Sequence, residues 1–232
     1  EGGRHLYGLD DLTEKEAANV MFYKRRQESR DTELLRPHLH RIVAISAVLH
    51  HDDQYEIWTC ADKPTEAEKI QAFYALIQQY NPTLVAWNAE EMALPVLRYR
   101  SMLHKLVAPI YFEQDDSHLE HQHVVDLSDY LADFYHQARV PLDEFARLLG
   151  IPAKPAMDFM HCWHAFRHND TKNIREHSEW TVLTTYLVYL RYRLFTGEVD
   201  QGEYASQCEL LKSNLINLSN AHIQDFLASW PE

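Results

Sequence analysis

The chain has 232 residues, 46% of them hydrophobic and only 6 of them glycine, enough to bury a substantial core and too varied for a fibrous or low-complexity protein. Its formal charge of −13 argues against a protein that coats nucleic acid generally, because phosphate contacts need Lys and Arg. No apolar run approaches the roughly 20 residues that span a bilayer, and Val182–Phe195 is interrupted by Arg191 and Arg193. No signal peptide is visible, although the chain opens on Glu rather than Met, which points to a segment removed or omitted upstream. Cys60, Cys162 and Cys208 are odd in number and lack metal or redox spacing, which fits a reducing cytoplasm.

In chain order, Thr13–Glu16 has capping-box spacing and predicts a helix from Glu14 to about Glu28. Arg41–His50 and Gln54–Cys60 read as two strands, joined by a hairpin turn at His51-Asp52-Asp53. Pro64-Thr65-Glu66 starts a helix with Ile70, Phe73, Ile77 and Tyr80 on its apolar face, and Asn81-Pro82 stops it. Thr83–Trp87 is a short apolar run, the pattern of a strand buried on both faces. Asn88 breaks that run with a turn residue, and apolar positions then return at helical spacing, with Pro95 suited only to the first helical turn. Strand, polar turn, helix is the crossing where open α/β sheets build sites. Asn88–Ala93 is therefore the first place to look, against the bland reading of an ordinary connection.

Further on, Pro109–His123 is irregular and acidic. Val124-Val125-Asp126 reads as a strand leading into a helix Leu127–Gln137, followed by a helix Pro141–Leu149 closed by Gly150. Helices fill the rest, at about Met157–Arg167, Asn173–Phe195, Glu203–Leu215 and Ile223–Trp230. The order β-β-α-β-α with later helices describes a mixed sheet with helices packed on it.

Several residue groups compete as chemistry. The 15 histidines include His161, His164 and His168 on one helical face, and His118, His121 and His123 in a loop. Neither group has a zinc-site pattern, so they read as surface or satisfied histidines. Glu90-Glu91 and Asp126 are carboxylates at strand ends, positions where Mg²⁺ is held for phosphoryl chemistry, although paired Glu in a turn also occur simply as solvated charge. Lys24-Arg25-Arg26 with Arg30, and Arg98, Arg100 and Lys105, are basic clusters readable as solvated helix faces or as phosphate contacts.

Five stretches taken together carry a resemblance: His40–Ser46, Leu84–Asn88, Leu94–Arg100, Val125–Leu127 and Val182–Arg191. In order and spacing they resemble a bacterial 3′–5′ exonuclease family related to the proofreading domain of family B DNA polymerases, which has the ribonuclease H-like fold. The resemblance covers nearly the whole chain to about Gly202. It implies an α/β ribonuclease H-like domain over residues 1–198, with residues 199–232 as a C-terminal helical extension. It also implies that four acidic residues hold two divalent metals and that a tyrosine orients the attacking water. The first acidic pair, an Asp-x-Glu, would lie upstream of Glu1.

The resemblance departs from the family at the site and not along the scaffold. The second aspartate position is Ala93, the third is Thr181, and the tyrosine one helical turn earlier is His177. The glycines expected around the central turn are Ala89 and Glu91. Glu179 neighbours a metal-ligand position and is the available substitute carboxylate. The expectation is a degenerate exonuclease-like domain without two-metal catalysis and with no resident metal, serving as an interaction or nucleic-acid-end-binding module. The alternative is an active Mg²⁺- or Mn²⁺-dependent 3′–5′ exonuclease with displaced ligands. The implied partners are a single-stranded nucleic-acid 3′ end, met by Trp87, Asn88, Arg98 and Tyr99, or another protein, and no membrane. Trp180 is a further aromatic for stacking on bases.

Overall fold

The computed structural model describes residues 2–30, 32–51, 54–108 and 124–231. The acidic stretch Pro109–His123 and the turn residues Asp52-Asp53 lie outside these. The elements in order are α1 (Gly2–Tyr7), α2 (Glu14–Ser29), β1 (Ser46–His51), β2 (Gln54–Thr59), α3 (Glu66–Tyr80), β3 (Leu84–Ala86) and α4 (Ala93–Leu103). Then come β4 (Val124–Asp126), α5 (Leu127–Leu131), α6 (Leu142–Leu148), α7 (Phe159–Arg167), α8 (Thr171–Thr196), α9 (Gln201–Ile216) and α10 (Ala221–Ala228). The mixed α/β class predicted from sequence is the class observed. Among the described residues no helix is long and apolar enough to cross a membrane.

The strands form two pairs, not one continuous sheet. β1 and β2 are antiparallel, from Ser46 opposite Thr59 to His51 opposite Gln54. β3 and β4 are parallel, with Leu84, Val85 and Ala86 opposite Val124, Val125 and Asp126. Both pairs nevertheless occupy one layer. Val48, Tyr55, Ile57, Val85 and Val125 pack against the core built around Leu183, Leu187 and Leu190 of α8. On the opposite side, Ile45, Leu84 and Val124 pack against Ile70, Ile77 and Leu97 of α3 and α4. Alternation of side chains along a strand sends successive residues to these two helical layers.

Local chemistry explains most boundaries. Thr13 and Thr65 each close a complete capping box, with Glu16 and Glu68 as the reciprocal partners. α8 runs 26 residues, begins at the Asp170 cap, and ends at Gly197 in the left-handed conformation at φ 77°. At 1.5 Å per residue it is roughly 39 Å long, and its buried face includes Leu183, Leu187, Val188 and Leu190. Each such side chain contributes about 1.5–3 kcal/mol on burial, so this helix organises the larger core.

Some expectations are corrected. The first strand starts at Ser46, although Ile45 just before it still accepts the Cys60 N–H at 3.0 Å. The helix expected over Leu127–Gln137 stops at Leu131, because Asp133 and Phe134 both take positive φ, at 50° and 60°. A single turn of 3₁₀ helix, His136–Ala138, follows. The central strand is half-buried along Leu84–Ala86, not fully enclosed. Arg100 is no part of a basic surface: it is 6% exposed and bonded bidentately to Glu66, at 2.8 Å from Nε and 2.6 Å from a terminal nitrogen.

Candidate functional site at the carboxyl ends of the parallel strands

Parallel pairing brings Ala86 and Asp126 side by side at the carboxyl ends of β3 and β4. From there the two chains diverge into α4 and α5, leaving the crevice in which α/β sheets carry sites. Asp126 shapes that crevice. Its Oδ1 accepts the backbone N–H of Asn88 at 2.7 Å and of Ser128 at 3.1 Å, and its Oδ2 accepts that of Glu90 at 3.1 Å. One buried carboxylate thus caps α5 and fastens the turn after β3. Asn88 completes the turn at φ 53°, a conformation Asn tolerates better than most residues.

Beside this turn lies a pocket of about 340 Å³. Trp87, Asn88 and Glu91 line it from the β3–α4 side, and Ser128, His136, Arg139, Val140 and Pro141 from the segment after β4. Trp87 is held on two sides. Its Nε1 donates to the Val140 carbonyl at 3.2 Å, and its ring stacks on Phe145 at 6.0 Å between centroids. Arg139 is also fixed, donating to Asn88 Oδ1 at 3.0 Å, pairing with Asp129, and lying 3.5 Å from Glu91. Asn88 Nδ2 in turn donates to Glu91 at 2.8 Å. Three polar atoms in this group are buried without a hydrogen-bond partner among the described residues, Ser128 Oγ, Asp129 Oδ1 and Arg139 Nε, with Asp129 Oδ1 ion-paired to the Arg139 guanidinium.

Of the residues singled out from sequence, Trp87 and Asn88 meet in this pocket. Arg98 and Tyr99 are exposed on α4, and Tyr99 packs edge-on against His38 at 5.8 Å. They do not line the pocket. Trp180 offers no stacking face, being 4% exposed and packed edge-on against Phe226 at 5.1 Å. Ala93 is exposed at the start of α4. Thr181 is half-buried on α8 and its hydroxyl donates to the His177 carbonyl at 3.0 Å. His177 Nε2 accepts the Met157 N–H at 3.0 Å, and burial, with Lys154 adding to it, pushes its pKa below the usual 6.5. Glu179 is buried at 4% exposure and turned toward α10, where it accepts from His222 Nε2 at 2.6 Å and lies 3.5 Å from Arg175.

The carboxylates nearest these positions are engaged by other partners. Mg²⁺ requires several oxygen ligands converging at about 2.0–2.1 Å. Ala93 supplies a methyl group, the Thr181 hydroxyl bonds within its own helix, and Glu179 and Asp126 are held by other partners. Among the described residues no three His, Cys, Asp or Glu side chains converge as a metal site.

Sequence reasoning missed Ser128, His136, Arg139, Val140 and Pro141. Asp126 was flagged only as a possible ion ligand. A usable signal was Arg139, a cation placed two residues before Pro141 in the segment that follows a strand-end aspartate.

A hairpin and a parallel pair in one layer, helices on both sides, and a crevice at the parallel strand ends define an α/β domain of exonuclease-like type. The chain belongs to the family of predicted 3′–5′ exonucleases related to the exonuclease domain of PolB, whose model matches residues 32–230. No curated protein and no solved structure matches the chain.

Proposed function

We propose that this domain is a degenerate member of its family, which holds a single-stranded nucleic-acid 3′ end without two-metal hydrolysis. The observation that carries this reading is the commitment of the nearby carboxylates to structure. Glu179, the substitute carboxylate near the position held by Thr181, is bonded to His222 at 2.6 Å, and Asp126 accepts from three backbone amides. Swinging either into a metal site would leave buried donors unpaired, at a cost of about 1–3 kcal/mol each. Meanwhile the crevice keeps a fixed aromatic wall in Trp87 and polar groups for orientation, the features expected of a binding pocket. Family membership favours nucleic acid as the bound species; a protein partner is the competing occupant.

The test uses 5′-labelled DNA and RNA single strands with Mg²⁺, with Mn²⁺ and with EDTA. The expected outcome is no shortening above background in any lane, together with a gel shift that weakens as salt rises. A ladder of shortened products that EDTA abolishes would overturn this reading in favour of an active exonuclease with displaced ligands. Glu179→Gln would then identify the replacement ligand.

A further inference from the structure

We propose that the pocket between Trp87 and Arg139 takes a nucleobase and not a phosphate, with a base carbonyl oxygen accepting from Ser128; this rests on the end-binding reading. The first support is the electrostatics of the pocket. Arg139 is set against Asp129 and Glu91, with Asp126 behind the turn, so fixed carboxylates outnumber the guanidinium. A phosphate entering there meets more repulsion than attraction, whereas a neutral heterocycle does not. The second support is the orphaned donors. Ser128 is 2% exposed, lines the pocket, and has no hydrogen-bond partner for its hydroxyl among the described residues. Arg139 Nε is also unpartnered, but it belongs to the guanidinium ion-paired with the equally unpartnered Asp129 Oδ1, so the Ser128 hydroxyl carries this support. Buried donors of this kind are uncommon in folded proteins and ask for an acceptor. The third is Trp87, whose indole is immobilised by Val140 and backed by Phe145, so it presents a preorganised flat wall. A ring that stacks and an acceptor that reaches Ser128 together describe a carbonyl-bearing base such as uracil, thymine or guanine.

The experiment measures binding of fluorescent hexanucleotides by anisotropy. It compares strands ending in a 3′ uridine or thymidine with the same strands ending in an abasic residue, and uses free uridine and inorganic phosphate as competitors. Expected are weaker binding of the abasic end by about tenfold, competition by uridine, and none by phosphate beyond its ionic strength. Ser128→Ala should weaken the base-ended strand about fivefold and leave the abasic strand unchanged. Equal binding of base-ended and abasic strands, or competition by phosphate equal to that by uridine, overturns the proposal while the end-binding reading survives. Binding of uridine without any binding of strands supports the pocket and removes the end-binding reading. No binding of strands or uridine removes both. The wild-type competition arms need no variant, so a folding defect in Ser128→Ala does not obscure the outcome.

Discussion

His222 on α10 donates to Glu179 on α8 at 2.6 Å, with both side chains buried at about one twentieth of their full exposure. This contact between residues 43 apart fastens the last helix to the longest one and engages the Glu179 carboxylate. Replacing His222 by Ala leaves a buried carboxylate that keeps, among the described residues, its ion pair with Arg175. The expected loss is about 3 kcal/mol, read as a fall in the thermal midpoint. His222→Gln, which keeps a donor, should recover part of it. Amide exchange should rise first in α10 if the pair acts as its clasp.

Glu66 predicts the behaviour on acidification. Its carboxylate accepts from Ile42 N at 2.7 Å, from both Arg100 nitrogens, and from His104 at 2.9 Å. Burial alone would raise its pKa, but these donors outweigh burial and hold it below the ordinary value of 4.5. A depressed folded value means that the unfolded chain takes up the proton first. The stabilisation is therefore complete above about pH 4.5 and is lost as pH falls through the folded value. Urea midpoints between pH 3 and 7 should show this limb, and Glu66→Gln should flatten it. The same variant should cost about 3 kcal/mol at neutral pH, because Arg100 then stays buried without its partner.

His177 gives a second pH signature in a different window. Its Nε2 accepts the Met157 N–H, so the folded state needs the neutral ring, and burial lowers its pKa below 6.5. This contribution is fully present above about pH 6.5 and disappears as pH falls through the folded value. An NMR titration of the ring carbons should place the His177 midpoint below 6.5. A midpoint at or above 6.5 would contradict the hydrogen bond.

Metal affinity tests the degenerate reading directly. The unmodified protein should show no saturable Mn²⁺ binding tighter than about 1 mM. Ala93→Asp combined with Thr181→Asp should tighten it at least tenfold if the two positions face one crevice as in the family. Tight binding by the unmodified protein, lost in Glu179→Gln, would show that Glu179 leaves His222 to serve as a ligand.

The elements with strong local signals were legible in the sequence. The capping boxes at Thr13 and Thr65, the period of α8, and the β1–β2 hairpin all depend on residues close in the chain. The break after Leu131 was not legible, because Asp133-Phe134 takes left-handed backbone without the Gly or Pro that would announce it. The separation of the two strand pairs was not legible either: the element order predicts one mixed sheet, and among the described residues β1–β2 and β3–β4 do not pair with each other. At the site, Trp87 and Asn88 were readable because they follow a strand directly. Ser128 and Arg139 were not, since their relation to Asn88 depends on the Asn88–Asp126 bond across 38 residues and on the Asn88–Arg139 bond across 51. Glu179 was readable as a carboxylate but not as a partner of His222, which the chain reaches only two helices later.

The position of α8 also governs when this chain can finish folding. The β1–β2 hairpin rests on α8 through Tyr186, whose hydroxyl meets Tyr55 and His50 across 131 and 136 residues of chain. A ribosome emits the hairpin long before that helix. At about 5–20 residues per second, the strands wait several seconds without the face that buries them. Closing so long a loop costs entropy that only the completed core repays, so the hairpin and the parallel pair should consolidate late and together. Truncation before residue 171 should accordingly release a chain that neither half of the strand layer can rescue.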